Sequence, residues 1–401
     1  MFQRTIVVKV IARAGSYARA AFAFWSNGQE VNMKNRAGSL GMRSLRELKS
    51  ALTFSYLIVL LSGCATIQAA QGGRFEFALI GDVPYDARHE KEFANVMKEI
   101  NAADIAFVVH DGDFAWDGAA WTEKDGGFPP CSDETFQDRL RLAQGSRHPF
   151  IFAPGDNDWT DCHRAKPRTY DPLERLTKIR QMFFQGDQSL GRRTIRLTRQ
   201  SEDTRYAKFR ENVRWTYGDV LFVTLHIVGS NNNLGRTPEM DAEYAERTAA
   251  NLAWMRQAFE LAIRSGSKAV MIIAQANPRF ENSWPGYVQQ RYMLAGLGIR
   301  SPAMRRATGF DEFLAALEKE TVAFGKPVVY VHGDTHVFRV DKPLFGSTSR
   351  RSIENFTRVE TIGYPDTHWV RAIVDPKDPN VFSFRQEIVK ENLVDHGAKS
   401  P

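Results

Sequence analysis

The chain is poor in the features that divide a protein or commit it to nucleic acid. It has no internal repeat, no low-complexity block and no Gly/Ser/Pro linker long enough to split residues 74–390. A single domain is therefore expected there. Its body also lacks net charge. Residues 1–63 carry nine Lys/Arg against Glu30 and Glu47, a net of +7, which leaves 44 positive and 45 negative side chains for the rest of a chain whose formal charge is +6. A near-neutral body has no clustered cations with which to release counterions from a phosphate backbone, so no nucleic-acid partner is expected. At 43% hydrophobic residues, the composition is ample for a buried core.

Cysteine is scarce too, at three residues, and their placement is informative. Arg43, Arg46 and Lys49 precede the uncharged stretch 50–61, too short to span a bilayer comfortably, and Leu61-Ser62-Gly63-Cys64 follows. That is the positive, apolar, small-residue order of a secretory signal. Leu-Ser-Gly-Cys also resembles the lipobox of bacterial lipoproteins, which implies acylation of Cys64 and a lipid anchor at a cell-envelope membrane facing the periplasm. Residues 1–41 then read as an upstream extension, 42–63 as a lipoprotein signal peptide, 64–73 as a linker, 74–390 as the folded domain and 391–401 as a tail; Met33 or Met42 would be the start. Cys131 and Cys162 remain, and an even pair in an oxidising compartment is read as a disulfide, with two free buried thiols as the alternative.

From residue 74 onward, short apolar runs end abruptly in polar turns. Residues 75–80 lead to Gly81-Asp82, 105–109 to His110-Asp111-Gly112-Asp113, and 150–153 to Gly155-Asp156-Asn157-Asp158. Residues 270–274 lead to Gln275-Ala276-Asn277 and 328–331 to His332-Gly333-Asp334-Thr335-His336. Continuous β-branched and aromatic runs predict strands buried on both faces, and the ends of such strands are where open α/β sheets assemble sites. Phe93, Val96, Met97 and Ile100 form one helical stripe, and Leu252, Met255, Phe259 and Ala262 another, with a third at Phe313, Leu314 and Leu317. The segments 355–362, 368–374 and 381–385 predict a β-rich C-terminal quarter.

Hard divalent cations need several oxygens brought from distant segments, and Asp beside Gly at successive strand ends can deliver them. In order and spacing, these blocks resemble the signature of the calcineurin-like metallophosphoesterase superfamily (D-x-H, G-D, G-N-H-[DE], a lone His, then G-H-x-H), over roughly residues 75–339. The resemblance implies an α/β, four-layer fold, with two mixed β-sheets face to face and helices outside. It also implies a phosphoester substrate and two divalent metal ions. By position, Asp82 would ligate the first metal and Asp113 would bridge both. Asp156 replaces an Asn on the second metal, and Asp334 replaces a His there. His336 keeps its place on the first metal. Either Gln275 or Asn277 stands in the block of another second-metal His.

Two departures matter for chemistry. Pro84, which cannot ligate, stands at the His of D-x-H, with Tyr85 beside it as a substitute. Asn157 stands where the family carries the His that protonates the leaving oxygen, and an amide cannot transfer a proton near neutral pH. His226 or His163 would have to serve instead. Gly229-Ser230-Asn231-Asn232-Asn233 offers either donors for an oxyanion or a plain polar turn, and His110 reads as a support behind the ligands. A set rich in oxygen and poor in imidazole favours Mn, Mg or Ca over Zn or Fe. The activity implied is hydrolysis of a phosphoester by a metal-bound hydroxide. The other readings are a non-catalytic metal- or ligand-binding lipoprotein that keeps the fold, and an exported nuclease.

Overall fold

The computed structural model describes residues 73–116, 128–283 and 308–394. Cys64, the signal at 42–63 and the extension at 1–41 lie outside the described residues. Twelve strands form two mixed sheets. The five-stranded sheet runs β12-β11-β1-β2-β3, with β1 Phe75–Ile80, β2 Val108–His110 and β3 Phe150–Phe152 parallel, and β11 Trp369–Val374 and β12 Phe382–Glu387 antiparallel to their neighbours. The seven-stranded sheet runs β4-β5-β6-β7-β8-β10-β9. Its parallel centre is β6 Val220–Thr224, β7 Ala269–Ile273, β8 Val328–His332 and β10 Phe356–Glu360. Antiparallel β4 Thr198–Arg199, β5 Val213–Tyr217 and β9 Arg339–Asp341 close its edges.

Alternation along each strand makes four layers. In β1, Phe77 and Leu79 join β6 and β7 residues such as Phe222, Met271 and Ile273 in the core between the sheets. Ala78 and Ile80 point the other way, into a second core beneath three helices: α1 Ala87–Ala102, α2 Asp133–Gly145 and α3 Pro172–Phe183. On the far side, Val270, Ile272 and Tyr330 meet α4 Pro238–Ser265 and α5 Asp311–Phe324. Burial on both faces is why these strands read as unbroken apolar runs.

Helices α1 to α4 start where side chains satisfy their first N–H groups. Asp86 accepts from the backbone of Arg88 and His89, and Asp171 from Leu173 and Glu174 with Pro172 at the first turn. In α1 the buried apolar positions are Phe93, Val96, Met97 and Ile100. The last three strands divide between the sheets: β10 joins the larger one, while β11 and β12 extend the smaller one. Among the described residues no helix is long and apolar enough to cross a membrane.

Candidate metal centre

The C-terminal ends of the parallel strands face one another across the two sheets, and the polar turns meet there. Asp82 follows β1, Asp113 follows β2, Asp156 and Asn157 follow β3, and Asp334 and His336 follow β8. Four of these residues sit in the left-handed backbone region, with φ of 54° at Asp82, 58° at Asp113, 72° at Asp334 and 67° at His336. Non-glycine residues adopt it rarely, and strain of this kind, on the order of 1–3 kcal/mol each, gathers at functional sites. The packing leaves no slack. A side-chain carbon on Gly155 would lie 1.9 Å from Oδ1 of Asp113, and one on Gly229 would lie 2.6 Å from Asp156 Oδ2 and 2.8 Å from Asp334 Oδ1.

Hydrogen bonds knit the turns together. The backbone N–H of Asn157 donates to Asp113 Oδ1 at 3.0 Å, and its side-chain amide donates to Asp113 Oδ2 at 3.2 Å and to the Tyr85 hydroxyl at 3.3 Å. That hydroxyl lies 3.4 Å from Asp82 Oδ1, 3.5 Å from Asp113 Oδ2 and 3.4 Å from His336 Nε2. The Asp334 N–H donates to both Asp82 oxygens at 3.1 Å, and the Asn277 N–H donates to Asp334 Oδ2 at 2.9 Å. His336 Nδ1 is 2.8 Å from the Tyr364 carbonyl, an acceptor only, so Nδ1 carries a proton, and Nε2 faces Asp82 Oδ1 at 3.4 Å; burial lowers the ring's pKa, but the Asp82 carboxylate outweighs it and holds the imidazole above its ordinary value.

No Lys or Arg pairs with Asp82, Asp113, Asp156 or Asp334 among the described residues. Asp113, Asp156 and Asp334 therefore resist ionisation. Burial, then the charges of Asp156, Asp158, Asp82 and Asp334, push Asp113 well above the usual carboxylate range. Burial and then Asp334 push Asp156 to about 8, and burial raises Asp158 to about 7 against three backbone N–H donors. Burial takes Asp334 to about 6, opposed by the Asn277 N–H and helped by Asp82. A carboxyl that titrates higher folded than unfolded gives its full stabilisation below its ordinary pKa of 3.8 and loses it as pH rises through the folded value. The raised acids outnumber the buried histidines His110, His226 and His332, whose lowered pKa values work the other way below pH 6.5, so the metal-free protein should melt lower at pH 8 than at pH 5. A net effect worth only one pKa unit is about 1.4 kcal/mol, or roughly 3–5 °C. Thermal melts in chelator across that range check it, and a flat or rising profile would remove this account of the cluster.

No three His, Cys, Asp or Glu side chains converge on one coordinating point among the described residues, because Tyr85, Asn157 and Gln275 reach in between the acids. By type, charge and burial, Asp82, Asp113, Asp156, Asp334 and His336 nevertheless suit hard divalent cations, which would supply the positive charge the acids lack.

The structure gives the remaining sequence candidates definite partners. Gln275 turns its amide nitrogen to Asp113 Oδ2 at 2.9 Å and its oxygen to the Gly229 N–H at 2.6 Å, so it orients Asp113. The Asn277 oxygen accepts from the Arg279 N–H at 2.9 Å, capping its own turn. His226 is buried, with Nε2 accepting from the Trp159 indole at 3.0 Å and Nδ1 2.8 Å from Glu211 Oε1; both nitrogens are engaged and it cannot serve as the proton donor. His163 is exposed and bonded to the Thr160 carbonyl. In the 229–233 turn, the side-chain amides of Asn231, Asn232 and Asn233 donate to the Leu234 and Gly309 carbonyls and the Glu243 carboxylate, and the Ser230 hydroxyl to Asp161, so these side chains tie the turn to the protein.

Other residues hold the site from behind. His110 Nε2 reaches the Val83 carbonyl at 2.8 Å, while its Nδ1 accepts from the Gly112 N–H, and burial lowers its pKa to about 4, so a neutral ring braces two turns. Asp158, which sequence reasoning passed over, accepts the N–H groups of Asp113, Phe114 and Gly155 at 3.0, 2.9 and 2.7 Å. Its place three residues beyond Gly155, where a carboxylate can accept from its own turn, was the available signal. A disulfide joins Cys131 and Cys162, with Cα atoms 5.8 Å apart across a separation of 31 residues. It anchors the segment after the third turn. Removing it with a Cys131→Ala/Cys162→Ala pair should cost about 3 kcal/mol, read from denaturant midpoints with and without reductant.

No family model matches the chain, and no curated protein matches it. Among solved structures it is similar to one titled "Structure of PhoD", with 14% identity and a TM-score of 0.43 over 77% of this chain. The match spans 65% of that chain's length, somewhat under two thirds.

Proposed function

We propose that this chain is a divalent-metal-dependent phosphoester hydrolase. The observation that carries the reading is that turns from both sheets gather Asp82, Asp113, Asp156, Asp334 and His336 into one buried acidic cluster that no Lys or Arg enters among the described residues. Bound there, divalent ions would act as Lewis acids on a phosphoryl group and on water. The chain's own residues do the positioning. Gln275 and Asn157 hold the Asp113 carboxylate, the Tyr364 carbonyl sets the His336 tautomer, and the Asp334 N–H fixes Asp82. Tyr85 and Asn157 are the side-chain donors facing the cluster, suited to hold an oxyanion. Four carboxylates to one imidazole favour Mn, Mg or Ca over Zn or Fe.

The test is turnover of p-nitrophenyl phosphate and its bis-ester by the purified chain under Mn, Mg, Ca, Zn and chelator. Turnover indifferent to chelator would end the reading. The sequestration of His226 favours a second one, a metal-binding protein without turnover. Tight metal binding with every ester left intact would select it.

We also propose export and lipid anchoring through Cys64. The signal-like order of residues 43–64 supports this, as does the Cys131–Cys162 disulfide, which suits an oxidising compartment. Mass spectrometry of the mature N-terminus would read the acyl group, and an unmodified Cys64 would refute the anchor.

A further inference from the structure

Beside the acidic cluster lie three aromatic rings from three distant segments. Tyr85 follows the Asp82 turn, Trp116 stands three residues beyond Asp113, and Tyr364 lies in the connection between β10 and β11. Their centroids are 6.1 Å apart for Tyr85–Trp116, 5.8 Å for Tyr85–Tyr364 and 5.6 Å for Trp116–Tyr364, with interplanar angles of 29°, 27° and 39°. Each ring touches both others, two pairs stacked and the third tilted, so the three pack as one aromatic floor beside the acids. They do not enclose a cage of facing walls, the form that takes up a quaternary ammonium.

The floor is continuous with the chemistry. The Tyr85 ring is buried in it while its hydroxyl touches Asp82, Asp113 and His336. His336 meets the Tyr85 and Tyr364 rings edge-on, at 5.7 and 6.4 Å. Trp116 and Tyr364 keep part of their surface in solvent. The opposite flank is polar: Asp156 and Asp334 face Gly229, and Asn277 and Thr335 lie beyond. An ester held by its phosphoryl group at the cluster thus meets apolar surface on one side only.

We propose that Trp116 and Tyr364 form a stacking subsite for an aryl group esterified to the phosphate. The proposal rests on the phosphoester reading and names the substrate class for it. A planar ring can stack on the part of Trp116 or Tyr364 left in solvent and keep dispersion contact over its face, which a bulky saturated group of the same size cannot do. The subsite also favours esters with stable leaving oxygens, which fits a cluster without an imidazole proton donor.

Binding of non-hydrolysable probes tests it apart from turnover. Phenyl-, cyclohexyl- and methylphosphonate are titrated by equilibrium dialysis against the full chain in Mn, as wild type, Trp116→Ala, Trp116→Phe and Tyr364→Ala, with melting curves to confirm folding. Phenylphosphonate should bind roughly tenfold tighter than the other two, the size of one base–aromatic stack. Trp116→Ala should lose about fivefold or more of that preference with methylphosphonate affinity unchanged, Tyr364→Ala should lose a similar share of it, and Trp116→Phe should keep most of it. The subsite is overturned if cyclohexylphosphonate matches phenylphosphonate, if the preference survives both alanine substitutions, or if no phosphonate binds. Failure of the hydrolase reading looks different: phenylphosphonate would bind through Trp116 and Tyr364 while every ester stays intact.

Discussion

Asp113→Asn should remove metal-dependent turnover by about a thousandfold, the loss of a Lewis-acid contribution of roughly 4 kcal/mol at 1.4 kcal/mol per decade. It should also remove metal-induced stabilisation. In the wild-type chain, free Mn at a hundred times its dissociation constant raises stability by about 2.7 kcal/mol, and the variant's melting temperature should not respond to the same addition. The reason is position. Asp113 accepts from the Asn157 backbone, the Asn157 amide and the Gln275 amide, and lies next to Tyr85, at the centre of the converging turns. An amide in its place has one oxygen for these donors and no charge for a cation, so the orienting bonds are met by an N–H on one side. Far-UV circular dichroism equal to wild type separates this from misfolding. Turnover within tenfold of wild type, or an undiminished response to Mn, would show that Asp113 is not at the centre of a metal site.

The layer order and the location of the cluster were legible in the sequence, and the roles of individual polar atoms were not. Residues 75–80 read as a buried strand because alternate side chains enter two different cores, leaving no polar face to break the run. The following Gly-Asp pairs were legible because a turn at a strand end has to use such residues. Which sheet each C-terminal strand joins was hidden, since no residue pattern in β10 or β11 marks the sheet it enters, yet they part company. The orientation of Gln275 depends on Gly229, 46 residues away, and the fate of His226 on Trp159, 67 residues away, so neither follows from local pattern. The aromatic floor was invisible for the same reason. Tyr85, Trp116 and Tyr364 share no spacing or motif, and only the meeting of three turns brings them together.

The second large effect lies behind the site. Glu211, fully buried, accepts from Arg180 Nε at 3.0 and 2.9 Å and faces His226 Nδ1 at 2.8 Å. Burial would push its pKa up, but the Arg180 charge and the His226 hydrogen bond hold it far below the usual carboxylate range. Its stabilisation is thus present above its ordinary pKa of 4.5 and fades only as pH falls toward the depressed value, so it is constant across pH 5–8 and leaves the cluster's own pH trend intact. The His226 ring it steadies receives the Trp159 indole, and the His226 carbonyl receives Arg247 and Asn251. Arg247 in turn grips Asn232 in the left-handed turn beside Gly229. Glu211→Gln keeps an acceptor for His226 but strands the Arg180 charge, and should cost roughly 3–5 kcal/mol in urea unfolding. The paired change Arg180→Met/Glu211→Met should cost less than Glu211→Gln alone, because it removes both charges at once. A Glu211→Gln loss below about 1 kcal/mol, or a double variant worse than the single, would mean that the ion pair does not hold this side of the site together.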